Sequence, residues 1–117
     1  MSFPKKYLTD TVTIAAGASL SGASTLPAGY SLVGLVTAAT WDAAKISLAA
    51  SIDGTNFYPV KDSTAEFEIA SVTGAACIAV EVTKTVAWSY LKVRSGISTA
   101  ATNQVDATIV TLVLMAI

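Results

Sequence analysis

The sequence predicts an all-β protein: a single-domain, antiparallel β-sandwich, jelly-roll-like, with about eight strands. Three observations predict it. Apolar and polar residues alternate with the period of two that a half-buried strand requires, most cleanly over residues 45–53 and 90–95. Breaks rich in Gly, Ser and Thr recur at roughly ten-residue intervals, as in sandwiches and barrels. No segment places apolar residues at the spacing of an amphipathic helix. The length of 117 residues suits one domain with a real core.

The elements follow in order. Residues 1–9 read as an extended N-terminal arm. A first strand carries Val12, Ile14 and Ala16 on one side and Thr11, Thr13 and Ala15 on the other. Residues 17–29 are small, with one short strand around 21–26 that Pro27 and Gly29 stop. Residues 30–37 form a strand apolar on both faces, Leu32 with Val36 and Val33 with Leu35. A loop or single helical turn around Trp41 precedes residues 45–53, whose Ile46, Leu48, Ala50 and Ile52 face inward. Asp53-Gly54 supplies a hairpin turn, since Gly accepts the positive φ such turns need. The chain returns over 56–60, loops through 61–65, and forms short strands at Phe67–Ile69 and 76–83, the latter with Ile78, Val80 and Val82 inward. Residues 88–95 and 107–117 complete the set, separated by a Ser/Thr/Asn loop.

Composition limits the chemistry. There is no His and only one Cys, so Ser-His-Asp and Cys-His nucleophilic catalysis are excluded and zinc lacks its usual ligands. Cys77, within Ala76-Cys77-Ile78-Ala79-Val80, reads as a buried thiol behaving as a small hydrophobe. Glu66 and Glu68, two apart on one strand, share a face roughly 7 Å apart, a spacing glycosidases use. No cleft signal accompanies them, and they read as solvated. Asp53, Asn56 and Asp62 are calcium-type oxygen ligands without the EF-hand pattern, so a turn is the better reading. Catalytic residues, metal ligands and cofactors are therefore none. Lys5-Lys6 is the only basic cluster, which gives no footprint for nucleic acid. The apolar run 109–117 is far short of the ~20 residues that span a bilayer, and the N-terminus lacks a signal-peptide run. Neither a nucleic-acid nor a membrane partner is expected.

Charged residues make up 13% of the chain, about half the usual share of ~25%. Strands apolar on both faces need a cover, and a neighbouring subunit is the natural one in so short a chain. The expected interface residues are Leu32, Val33, Leu35, Ile109, Leu112 and Leu114, in a homo-oligomer or a lattice-bound subunit. Among the aromatics, Trp41 in its loop and Tyr58 are candidate glycan contacts. Phe57 and Tyr58 point to opposite faces, one toward the core and the other on a rim, and Trp88 reads as core or edge packing.

The ordered set Leu32-Val33-Gly34-Leu35-Val36, Trp41-Asp42-Ala43-Ala44, Ser51-Ile52-Asp53-Gly54-Thr55-Asn56-Phe57-Tyr58-Pro59-Val60 and Trp88-Ser89-Tyr90-Leu91-Lys92-Val93-Arg94-Ser95-Gly96 resembles a family of small structural proteins of tailed bacteriophages and gene transfer agents. Asn103-Gln104 and a Val/Leu-rich last strand extend the likeness, which runs from about Thr13 to Leu114. Val86-Ala87-Trp88-Ser89-Tyr90 stands where that family often has Ala-Gly-Trp-Arg-Tyr, and residues 64–84 match poorly. The resemblance implies a non-enzymatic virion protein, a capsid decoration or a spike or fibre-base subunit. Its implied partners are other virion proteins, and its implied location is the virion, after synthesis in the host cytoplasm. The alternative is a carbohydrate-binding adsorption module contacting a host glycan, since carbohydrate-binding jelly rolls carry a similar Ser-x-Asp-Gly-x-x-Phe turn.

Overall fold

The computed structural model describes residues 7–116. In chain order the strands are β1 (Tyr7–Ile14), β2 (Ser24–Thr25), β3 (Tyr30–Thr37), β4 (Ala44–Ser51), β5 (Tyr58–Pro59), β6 (Lys61–Asp62), β7 (Ala65–Glu66), β8 (Glu68–Val72), β9 (Ala76–Ala79), β10 (Tyr90–Ile97), β11 (Ala100–Ala101) and β12 (Thr108–Ala116). One 3-10 turn, Val82–Lys84, is the only helical element among the described residues.

Every pairing is antiparallel, and the long-range pairs nest: β1 with β12, β2 with β10, β3 with β9, β4 with β8. Nesting of this kind arises when a chain doubles back as one long hairpin and then winds up. It divides the main strands into β1-β12-β3-β9 and β2-β10-β4-β8, the two sheets of a jelly roll. The remaining strands are two-residue ribbons: β5 on β4, β11 on β10, and β6 on β7. Strand β2 is the middle of a longer, interrupted run along β10, continued by the Leu20–Arg94 bridge and the Leu26 N–H to Ser89 carbonyl bond.

The core lies between the two sheets. Val12, Ile14, Leu32, Leu35, Val110, Leu112 and Leu114 face it from the first sheet, and Ile46, Leu48, Ala50, Leu91 and Val93 from the second. Alternation explains all of these except β3. There, Gly34 pairs with Val113 while Leu32 pairs with Leu114, so Val33 is an extra residue in a β-bulge. The bulge resets the parity, and Leu32 and Leu35 both turn inward where strict alternation separates them.

Several expectations are corrected. Of the stretch 1–9 expected as an arm, Tyr7 to Thr9 is strand, paired with Met115 to Val113; residues 1–6 lie outside the described residues. Strand β4 ends at Ser51, so Ile52 projects beyond the sandwich and is 76% exposed rather than inward. Cys77 is exposed on the outer side of β9, because Ile78 takes the inward position. No helix among the described residues is long and apolar enough to cross a membrane.

A buried polar clamp ties the loops at one end. Gln104 is fully buried. Its Oε1 accepts the Asp42 N–H at 2.7 Å, and its Nε2 donates to the Asp42 carbonyl at 3.1 Å and to Ser95 Oγ at 2.9 Å. Its backbone also joins the 15–18 loop, accepting from the Gly17 N–H and donating to the Ala18 carbonyl. Three loops distant in sequence are held by one side chain and its main chain.

Candidate functional site

The two outer faces of the sandwich differ sharply in charge. On the β1-β12-β3-β9 sheet the register places Thr9, Thr11 and Thr13 beside Val113, Thr111 and Ile109, and then Val36 beside Thr111 and Cys77. None of these carries a charge. Ile109 is 51% exposed, and the β1 threonines are exposed throughout. On the other sheet, Lys45, Lys92 and Arg94 line the outer face. Lys45 pairs with Glu68 at 2.9 Å, Arg94 with Glu66 at 3.4 Å, and the Lys92 ammonium sits 4.4 Å from the centre of the Phe57 ring.

This placement sorts the expected interface residues. Ile109 and Val33 reach the outer side of their sheet, Val33 at its bulge and half-buried. Leu32, Leu35, Leu112 and Leu114 do not: they are at most 1% exposed, pointing into the core. The bulge is the reason on β3. On β12, Leu112 and Leu114 share the parity of Val110, opposite to Ile109.

A second feature lies at one end of the charged sheet. The segment after β4 turns at Asp53-Gly54, with Gly54 at φ 78°, and returns as β5. The Asp53 carboxylate organises this turn. Its Oδ1 accepts the Thr55 and Asn56 N–H groups at 2.8 and 2.9 Å and the Ser51 hydroxyl at 2.8 Å, and its Oδ2 accepts the Asn56 amide at 3.0 Å. These donors, the Asn56 N–H foremost and then the Thr55 N–H, hold the Asp53 carboxyl far below the ordinary carboxylate range. Of the calcium-type oxygens, Asp53 Oδ1 is thus used within the turn and Asp62 is paired with Lys84 instead, and no metal-binding cluster exists among the described residues. Gly54 is required for a second reason: a Cβ there would stand 3.2 Å from the Tyr90 ring.

Beside the turn is a cleft of about 310 Å³ bounded by Ile52, Asp53, Asn56, Tyr58, Lys61 and Trp88. Tyr58 is 68% exposed and is the rim member of the Phe57–Tyr58 pair. Trp88 is half-buried against the core, its indole N–H donating to the Lys84 carbonyl at 3.3 Å, and one side of the ring lines the cleft. Trp41 is not part of any surface: it is 2% exposed, folded under by a turn in which its N–H donates to Ala38 and its carbonyl accepts from Gly74. Its loop position did not bring it to the surface: the large indole went to the core, the ordinary place for its area. Phe57 is half-buried under Lys92 rather than in the core.

Glu66 and Glu68 fall on different strands, β7 and β8, because the chain breaks at Phe67, whose N–H donates to the Val60 carbonyl. They line one open recess, each bound to its own cation; Glu66 also accepts from the Ser98 N–H and hydroxyl. Residues the sequence reading passed over are Gln104, Arg94 with Ser98, and Trp88 as a cleft wall. The Arg94–Glu66 pair had a trace in the strict alternation of residues 90–95, which put Arg94 outward, but no local signal named its partner.

No protein-family model matches the chain, and no curated protein matches it. Among solved structures it is similar to the Yersinia pseudotuberculosis-derived mitogen, at 12% identity and a TM-score of 0.42, with 97% of this chain and 88% of that chain covered.

Proposed function

We propose that this chain is a virion structural protein, a capsid-associated accessory subunit that acts through protein–protein contacts. The observation that supports this best is the uncharged outer face of the β1-β12-β3-β9 sheet. Lasting interfaces are depleted in charge at their centres, whereas a free surface mixes both signs. Four strands of this length cover roughly 500 Å² in plan, from strand spacing and rise. Doubled across two partners, that reaches the ~1,000 Å² at which specific interfaces begin. An area of this size suits a subunit held in a lattice by several contacts better than a free-standing obligate dimer. The family resemblance of the strand and turn motifs points the same way.

The test uses the thiol already on this face. Cys77 should react readily with a maleimide in the isolated chain and be protected in purified particles from the phage or prophage that encodes it. Thr11→Lys with Ile109→Lys, both at exposed outward positions, should leave the melting temperature within a few degrees and abolish incorporation. Absence of the chain from purified virions, or full incorporation of the double variant, would overturn the proposal.

A further inference from the structure

We propose that the cleft between Tyr58 and Trp88 binds a neutral pyranose saccharide, with one sugar ring stacked on the Tyr58 side chain. The inference is independent of the docking face, since the cleft belongs to the other sheet. At about 310 Å³ the cleft is at the lower end of the range for small-ligand sites, room for a sugar ring rather than an extended chain. Its walls are apolar and flat, from Tyr58, Trp88 and the projecting Ile52, and its rim is polar. Tyr58 is held through its backbone pairing with Ala50, while its hydroxyl has no hydrogen bond among the described residues. The backbone places this residue at the cleft and leaves its ring presented to solvent.

The rim chemistry narrows the ligand. Asp53 Oδ1 is saturated by three donors, but Oδ2 takes only the Asn56 amide and keeps acceptor capacity. The Asn56 carbonyl oxygen has no partner among the described residues, and Lys61 makes no ion pair among them. One anion and one cation face the cleft, so neither a strongly anionic nor a strongly cationic ligand gains there. A pyranose meets both requirements. It offers a C–H face to an aromatic ring, and hydroxyls that donate to Asp53 and Asn56 and accept from Lys61.

A peptide is the competing occupant, and the edge argues against it. Strand addition needs a row of free N–H and carbonyl groups, while β5 has two residues and the second, Pro59, has no N–H.

The experiment is an amide-resolved NMR titration of the full chain with methyl β-glucopyranoside, methyl β-galactopyranoside and methyl α-mannopyranoside, and with a proline-rich decapeptide. At least one glycoside should give saturable shifts confined to residues 51–61 and 88. Tyr58→Ala should weaken that binding at least about tenfold, whereas Tyr58→Phe should stay within about threefold of the native affinity. Unchanged melting of Tyr58→Ala, an exposed position, separates loss of binding from loss of fold. The inference is overturned if no glycoside gives saturable shifts there, if Tyr58→Ala binds normally, or if only the peptide binds.

Discussion

Replacing Gln104 by Leu tests whether the loop end of the sandwich is held by a polar clamp or by packing alone. The substitution keeps the volume and removes three side-chain hydrogen bonds, two with the main chain of Asp42 and one with Ser95 Oγ. Each bond contributes about 1 kcal/mol net. Ser95 is fully buried, so its hydroxyl loses a partner with no water to replace it, and the deficit there is nearer 2 kcal/mol. Against this, a buried Leu returns about 1 kcal/mol relative to the amide. The balance is a loss of about 3 kcal/mol. A chain of 117 residues unfolds with an entropy near 0.25 kcal/mol/K, so the melting temperature should fall by about 12 °C. Thermal and urea unfolding followed by tryptophan fluorescence would measure it. Ser95→Ala alone should lose about 1 kcal/mol, and the double variant should lose less than the two single losses added together. A loss below about 1 kcal/mol for Gln104→Leu, or strict additivity with Ser95→Ala, would refute the clamp.

Two further predictions concern the turns. Gly96 sits at φ 86° with Ala100 O and Thr102 N only 2.6 Å from where a Cβ would be, so Gly96→Ala should lose at least ~3 kcal/mol and strip β11 from β10. Gly29→Ala is the control, at φ 81° with nothing within 4 Å, and should lose only about 1 kcal/mol; equal losses would refute the close approach. For Asp53, the folded carboxyl is depressed by its turn donors, so its contribution to stability is complete above the unfolded value near 3.9 and fades as pH falls below it. The native chain should therefore be more stable than Asp53→Asn at neutral pH, with the gap closing on acidification below about pH 4; a gap constant from pH 7 to 2 would refute this.

Much of the fold was legible because strands announce their faces. The inward residues of β4 and β10 were readable from period two, and so was the Asp53-Gly54 turn. What was not legible depended on long-range geometry. No local feature of Leu32-Val33-Gly34-Leu35 marks Val33 as an extra residue, since the bulge is defined by Val113 and Leu114 on another strand. Cys77 was misplaced for a different reason. Burial statistics for free Cys overrode the alternation of Ala76 to Val80, which put Ile78 inward and Cys77 outward. The burial of Gln104 gave no local signal, because a buried, satisfied amide in a Ser/Thr/Asn loop reads like a solvated one. The opposed facing of Phe57 and Tyr58 was readable from period two, but not which of them lies outward, and Trp88 was brought to Tyr58 by the path from the 3-10 turn into β10.

The low charge of the chain takes on a sharper meaning in three dimensions. A uniform scarcity would leave both outer faces nearly neutral, yet Lys45, Lys92, Arg94 and Glu68 gather on one sheet, with Glu66 of β7 laid against it, and the other has none outward. Sheets associate either by their edges or by their faces. At the β1 edge, Asp10 takes up the Thr11 N–H and accepts the Ser24 hydroxyl from β2, so a charge stands mid-strand and the edge is tied to the opposite sheet. A charge placed in this way blunts strand addition. With the β1 edge guarded and the face left neutral, the proposed contact is stacking on the face, which would leave the charged sheet, and the Tyr58 cleft with it, facing water.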